Sequence, residues 1–220
     1  MTAKHWLCLL LGTMVSAAGP APLLAAAPQP LKAVEIREYE GQKLGSVTDF
    51  HENSIQGAPA VDIGKYRLLI DGLTEKKAAF SYGELQKMPH TKRLIELNCV
   101  EGWTVKALWE GIPLRELLKA APPKPEAVTV VFHCADGYDT SLPLKEVLAR
   151  DLIIADRING LTLPKEQGYP FILVAQDKWG YKWARWIVRI ELSRNTNYRG
   201  YWERSGYSQA GDLDGPILDR

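Results

Sequence analysis

Thr91-Lys92-Arg93-Leu94-Ile95-Glu96-Leu97 runs without a break into Asn98-Cys99-Val100-Glu101-Gly102-Trp103. The first seven residues read as a strand, and the next six as the loop into which that strand empties. A cysteine at such a junction, beside a carboxylate and a glycine, sits where reactive and ligand residues are commonly found. A thiolate is also a soft ligand, suited to a metal that holds charge through a redox cycle. Cys99 is therefore the first candidate for chemistry.

Outward from this junction the chain mixes strands with short helices. Tyr66 to Ile70 predicts a strand ending at the turn Asp71-Gly72, and Ser81 to Leu85 opens a short helix with Ser81 as N-cap and Glu84 three residues on. Trp109 to Pro113 reads as a turn, Leu114 to Ala120 as a helix, Ala127 to His133 as a β-branched strand and Pro143 to Arg150 as a helix. Ile153 to Ile158, Phe171 to Ala175 and Ala184 to Leu192 predict further strands, with Asn159-Gly160 as a hairpin turn. Without a strict βαβ rhythm the expected class is α+β, a mixed β-sheet core with short helices.

The N-terminus reads differently. Lys4 precedes an apolar, uncharged stretch from Trp6 to Ala18, and small residues follow at Ser16-Ala17-Ala18 and Ala25-Ala26-Ala27. That is the layout of a secretory signal peptide over residues 1–27. The alternative, a permanent anchor, is opposed by Gly12, Gly19, Pro20 and Pro22, which interrupt the run short of the roughly 20 helical residues a span needs. Residues 28–60, rich in Gly and Pro with weak periodicity, predict an arm laid over a domain spanning 61–207, and 208–220 form a tail. Cleavage near Ala27 leaves about 193 residues, enough for one core, with no later apolar run that spans a membrane. The expected location is the periplasm or the exterior. A net charge of +1 in 220 residues, without a basic block, gives no case for nucleic acid.

Of the three cysteines, Cys8 lies in the leader, leaving Cys99 and Cys134. In an oxidising compartment two cysteines also read as one disulfide, and that alternative stays open. Paired C-x-x-C spacing is missing, which disfavours structural zinc, and no G-x-S-x-G supports a serine hydrolase. His133 reads more readily as a satisfied strand-end side chain than as a base for Cys134. Lys182 and Arg185, two cations three residues apart after Gly180, suit an anion; alone they read more readily as a solvated basic strand edge. Tyr181, Trp183, Trp186 and Trp202 read as packing aromatics.

Four stretches, taken in order, resemble the molybdopterin-binding domain of the sulfite oxidase superfamily. They are Asn98 to Trp103; Ala135-Asp136-Gly137-Tyr138 with Ser141-Leu142-Pro143-Leu144; Asn159 through Gly168-Tyr169-Pro170 to Trp186; and Gly200 to Tyr207. None is decisive alone, whereas their order and spacing are. The resemblance implies a molybdenum-molybdopterin cofactor, with Cys99 as the thiolate ligand and catalytic centre. It implies that Lys182 and Arg185, with the backbone of Trp183 and Ala184, meet the cofactor's phosphate, and that Asn53, Cys134 and Gln167 lie at the cofactor. It further implies two-electron oxygen-atom transfer on a small molecule.

Three departures bear on that expectation. Ile172 stands where many relatives carry an Arg, and Gln167 where they carry Asn, which weakens the case for sulfite, a small dianion. The leader holds only Lys4 and no twin arginine. No C-x-x-C-H or other haem segment occurs, so a redox enzyme here exchanges electrons with a separate partner such as a cytochrome. The competing reading is a non-catalytic binding or scaffold module on the same fold, without molybdenum and with a Cys99–Cys134 disulfide. Ile172 and the plain leader favour it; the Cys99 loop and the Lys182–Arg185 pair oppose it.

Overall fold

The computed structural model describes residues 34–219; the leader and the first residues of the arm lie outside the described residues. A two-residue hairpin, β1 (Glu38–Tyr39) and β2 (Gln42–Lys43), comes first. Next are β3 (Arg67–Gly72), β4 (Ala78–Ser81), α1 (Tyr82–Leu85), β5 (Thr91–Asn98), β6 (Thr104–Pro113) and α2 (Leu114–Ala120). Then follow β7 (Thr129–Cys134), β8 (Asp139–Pro143), α3 (Leu144–Ala149), β9 (Ile153–Ile158), β10 (Leu161–Thr162), β11 (Ile172–Val174) and β12 (Ile187–Ser193). This is the α+β arrangement that the sequence predicts.

Two five-stranded sheets result. One runs β4-β3-β12-β7-β8, antiparallel except for β3 against β12; the other runs β10-β9-β6-β5, with β11 also paired to β9. Leu68, Ile70, Phe132 and Ile190 from the first sheet join Leu97, Trp109, Ile112 and Ile154 from the second in one buried cluster. That shared burial is the main stabilising term of the domain.

Local chemistry explains the element ends. Ser81 caps α1 in a capping box: its Oγ accepts from Glu84 N at 3.3 Å, and its own N donates to Glu84 Oε2 at 2.8 Å. In α2, Leu114, Leu117 and Leu118 are buried at helical spacing, so one face seats on the core. Asn159 (φ 50°) and Gly160 (φ 77°) make the turn between β9 and β10. Asn159 Oδ1 there also accepts from Leu108 N at 3.0 Å.

Two expectations are corrected. Trp109 to Pro113 is no turn but the second half of β6, shifted in register between Glu110 and Gly111. A Cβ at Gly111 would lie 2.1 Å from the Ile154 carbonyl oxygen, so this glycine serves a close approach of two strands. The strand expected from Ala184 starts only at Ile187, because Gly180–Lys182 form a 3-10 turn and Trp186 takes a positive φ of 54°.

In the N-terminal segment, Ile36 N donates to Asn159 O at 2.8 Å and Gly45 N to Lys106 O at 2.9 Å. Phe50 packs edge-on against Trp103 and Trp109, with centroids 6.0 and 5.7 Å away. These contacts bring residues 51–54 to the end of β5. Among the described residues no helix is long and apolar enough to cross a membrane.

Candidate functional site

A cavity of about 340 Å³ opens at the C-terminal end of β5. The loop after that strand is tight: Cys99 N donates to Trp103 O at 2.9 Å and Gly102 N to Cys99 O at 3.0 Å, with Gly102 at φ 88°. The turn presents the Cys99 side chain to the cavity, half-buried, while Asn98 at the end of β5 bridges to Trp179 and so lays Gly180 against the Cys99 Cα. Burial is the largest influence on the Cys99 thiol and pushes it above its ordinary value, with Glu101 adding in the same direction. Backbone N–H groups of Glu101 and Val100 and the charge of Arg185 oppose this without reversing it.

Five segments distant in the chain build the walls. Glu52 and Asn53 come from the N-terminal segment, Glu101 and Trp103 from the cysteine loop, and Asp136 and Tyr138 from the β7–β8 turn. Trp183, Arg185 and Trp186 come from the stretch before β12, and Trp202 and Tyr207 from the C-terminal run. Asn53 Nδ2 donates to Glu101 Oε2 at 2.8 Å, and Trp103 Nε1 donates to the same oxygen at 3.2 Å. Tyr138 O–H donates to the Tyr181 carbonyl, and Tyr181 O–H to Ser208 O at 2.8 Å, tying three walls together.

Among the described residues Arg185 has no carboxylate partner within 4.0 Å. Its Nη1 makes only long contacts, 3.3 Å to His51 O and 3.4 Å to Glu166 O. Burial works against its charge, and Glu52, Cys99, Asp136 and Glu101 work for it. A guanidinium has five N–H donors, so several remain for a ligand.

Of the residues singled out from sequence, the structure brings Cys99, Asn53, Trp183 and Arg185 to this cavity. The expectation for Lys182 is corrected. Its ammonium is fully buried, 2.5 Å from Glu203 Oε1 and 2.9 Å from Gln209 O, and it does not line the cavity. The backbone of Trp183 and Ala184 is corrected likewise: Trp183 N donates to Gly180 O and Ala184 N to Lys182 O, so neither N–H is free for a phosphate. Trp183 contributes its indole instead. Cys134 and Gln167 are buried outside the lining, and Cys134 Sγ receives the Arg185 backbone N–H. Both cysteines are free thiols, so the alternative Cys99–Cys134 disulfide is not formed.

The sequence assigned no site role to Glu52, Asp136, Tyr138 and Tyr207, although the last three stand in the stretches that carry the resemblance, and it gave Trp186 and Trp202 to packing alone. Asp-Gly-Tyr at 136–138 was the available signal, since a glycine at φ 87° marks a turn that aims its neighbours. Among the described residues no group of three or more His, Cys, Asp and Glu could hold a metal ion. Cys99 is therefore a single protein donor in an open cavity, a pattern that suits a metal whose other ligands arrive with a cofactor.

Comparison with known proteins agrees with this pattern. The model of the oxidoreductase molybdopterin binding domain matches residues 55–202. The chain is 31% identical over 152 residues to the uncharacterized oxidoreductase YuiH of Bacillus subtilis, covering 69% of this chain and 76% of that protein. It is 33% identical over 151 residues to the putative protein-methionine-sulfoxide reductase subunit YedZ1 of Azospira oryzae, covering 69% and 57%. With the protein-methionine-sulfoxide reductase catalytic subunit MsrP of Ralstonia nicotianae it shares 29% identity over 199 residues, covering 80% and 60%. The crystal structure of the sulfane dehydrogenase SoxCD from Paracoccus pantotrophus superposes with a TM-score of 0.62 at 27% identity, over 68% of this chain and 42% of that one. With the family model matching two thirds of its length, the chain belongs to the oxidoreductase molybdopterin-binding domain family, of the sulfite oxidase type, and is an oxidoreductase.

Proposed function

We propose that this chain is an exported molybdenum oxidoreductase that performs a two-electron oxygen-atom transfer on a small organic substrate and exchanges electrons with a separate redox protein. The observation that carries this reading is the unpaired Cys99 thiol facing a roomy cavity beside an Arg185 guanidinium with donors to spare. These residues fit the cofactor: a soft sulfur for the metal and a cation for a phosphate. When bound, the cofactor supplies a metal centre that takes up or releases two electrons with an oxygen atom; the protein supplies binding and orientation.

The chain's own residues divide that work. Cys99 acts as a ligand and not as a free nucleophile, because burial outweighs the neighbouring donors and keeps its thiol protonated near neutral pH, and a bound metal cation tips it to the thiolate. Arg185 holds the anionic end of the cofactor. Asn53 and Trp103 clamp Glu101 and so fix the loop that carries the ligand. Trp202 and Tyr207, also in the cavity wall, cover the substrate space and exclude water. The resemblance to the protein-methionine-sulfoxide reductase subunits YedZ1 and MsrP favours a sulfoxide as the oxygen donor and a partner subunit.

Elemental analysis for molybdenum, on protein made in a host that synthesises the cofactor, tests the reading. About one atom per chain is expected, lost in Cys99→Ser and reduced in Arg185→Ala. A folded protein with no molybdenum would leave the non-catalytic module as the better description.

A further inference from the structure

The charge balance of the cavity is unusual for a site meant to receive an anion. Three carboxylates line it, Glu52, Glu101 and Asp136, against the single guanidinium of Arg185. Neutral groups hold the carboxylates in place: Ser54 N donates to Glu52 Oε1 at 2.7 Å, Asn53 and Trp103 donate to Glu101, and Tyr138 N donates to Asp136 Oδ1 at 3.0 Å. Among the described residues none of these four charged side chains joins an ion pair within 4.0 Å. Uncharged donors fix a carboxylate without cancelling its field, so the three negative charges add, and one cation leaves a formal excess of two. Neighbouring cations do not repair this. Lys182 is spent on Glu203, and Lys178 on Glu146 and Asp212.

A cleft lined by one sign of charge, with low-dielectric walls, concentrates counter-ions and depletes ions of its own sign. Here the walls are Trp103, Tyr138, Trp202 and Tyr207, whose ring faces also attract cations. A phosphate-bearing cofactor adds negative charge and strengthens the bias. We propose that Glu52, Glu101 and Asp136 are specificity-determining residues that make the Cys99 cavity a charge filter, rejecting small oxyanions and admitting uncharged or cationic organic substrates. The substrate part of this inference rests on the cavity being the redox pocket proposed above; the field itself does not.

The test reads the field directly, on the full chain made in a host that lacks the cofactor, where Cys99 is free. Two methanethiosulfonates with the same reactive sulfur are compared, one bearing a trimethylammonium group and one a sulfonate. The modification rate at Cys99 is followed by peptide mass spectrometry, which separates it from Cys8 and the buried Cys134. Each rate is normalised to that of a small free thiol. The cation is expected to react at least about tenfold faster than the anion at low salt, with the ratio shrinking as salt screens the walls. Glu52→Gln, on an exposed loop residue, should cut the ratio several-fold, and Glu52→Gln/Glu101→Gln further, which separates the carboxylates from the aromatic faces. A normalised ratio near one, a preference for the anion, or a ratio unmoved by both variants overturns the filter. Molybdenum content is measured separately. A strong ratio without molybdenum sinks the redox reading and leaves the filter, and molybdenum with a ratio near one does the reverse.

Discussion

Lys182→Met separates two roles that the sequence alone merges. In the fold, the Lys182 ammonium and the Glu203 carboxylate are both fully buried and 2.5 Å apart, and Thr140 Oγ1 donates to the same Glu203 oxygen at 2.6 Å. Burial pushes the Lys182 ammonium below its ordinary value, against the opposing pull of Glu203. Removing one partner strands the other charge in the interior, which costs about 3–5 kcal/mol. The Gln209 carbonyl, 2.9 Å from Nζ, loses its donor as well, worth about 1 kcal/mol. Methionine keeps the methylene packing against Gly211, so packing loss is minor. A domain of this size loses about 2–4 °C of Tm per kcal/mol, so Tm should fall by roughly 8–24 °C.

Adding Glu203→Gln removes the stranded charge and should recover part of the loss, which a double-mutant cycle reads as coupling. Urea unfolding at pH 7 and thermal scans supply the numbers. Molybdenum per folded chain, measured below the unfolding transition, should stay near wild type in Lys182→Met while falling in Arg185→Ala. A loss under about 1 kcal/mol, or a fall in molybdenum without a fall in stability, would refute the placement of Lys182 in the structural pair.

Gly111→Ala places a Cβ 2.1 Å from Ile154 O and should cost about 3 kcal/mol in urea unfolding; a cost near zero would mean the β6–β9 spacing is wrong. Asp139 is buried, which alone would raise its pKa, but hydrogen bonds from Arg204 and Tyr198 outweigh this and hold it below the ordinary value. A depressed folded pKa means the stabilisation is present above the unfolded value, about 3.9, and is lost as pH falls through the folded one. Asp139→Asn should therefore be clearly less stable than wild type at pH 7, and the gap between the two should narrow as pH falls below the unfolded value and through the folded one. In cofactor-free protein, the pH–rate profile of iodoacetamide with Cys99 should have its midpoint above the ordinary thiol value of 9.0, since burial disfavours the thiolate. A midpoint below that value would make Cys99 an activated nucleophile and not a waiting ligand.

Much of the fold was legible because its signals are local. The β-branched run in β7, the capping box of Ser81 and Glu84 and the Asn159-Gly160 turn all act within a few residues of themselves. Misreadings arose where distant contacts override local punctuation. Gly111 and Pro113 look like a turn until β9 is laid against them, and only then does the glycine read as a close approach. Cys99 was legible from its strand-to-loop junction. Lys182 was not, because Glu203, 21 residues away, takes its charge and no spacing rule links the two. Glu52, Asp136 and Tyr207 converge from three separate segments, and convergence of loops leaves no periodic trace in a sequence.

The C-terminal run from Tyr198 to Asp219 contains no strand, yet it carries Trp202 and Tyr207 into the cavity wall. Polar ties moor it: Glu203 to Lys182, Arg204 to Asp139 and Asp212 to Lys178, while Arg199 and Asp219 pair within the run itself. Mooring points and wall residues are different residues on one short ribbon. Substitutions at 202 and 207 can therefore reshape what enters the pocket while the anchors hold the ribbon in position, and the sheets need not change at all. Such a layout lets a lineage alter its diet cheaply. It also makes this ribbon the natural place to randomise when a new substrate is sought.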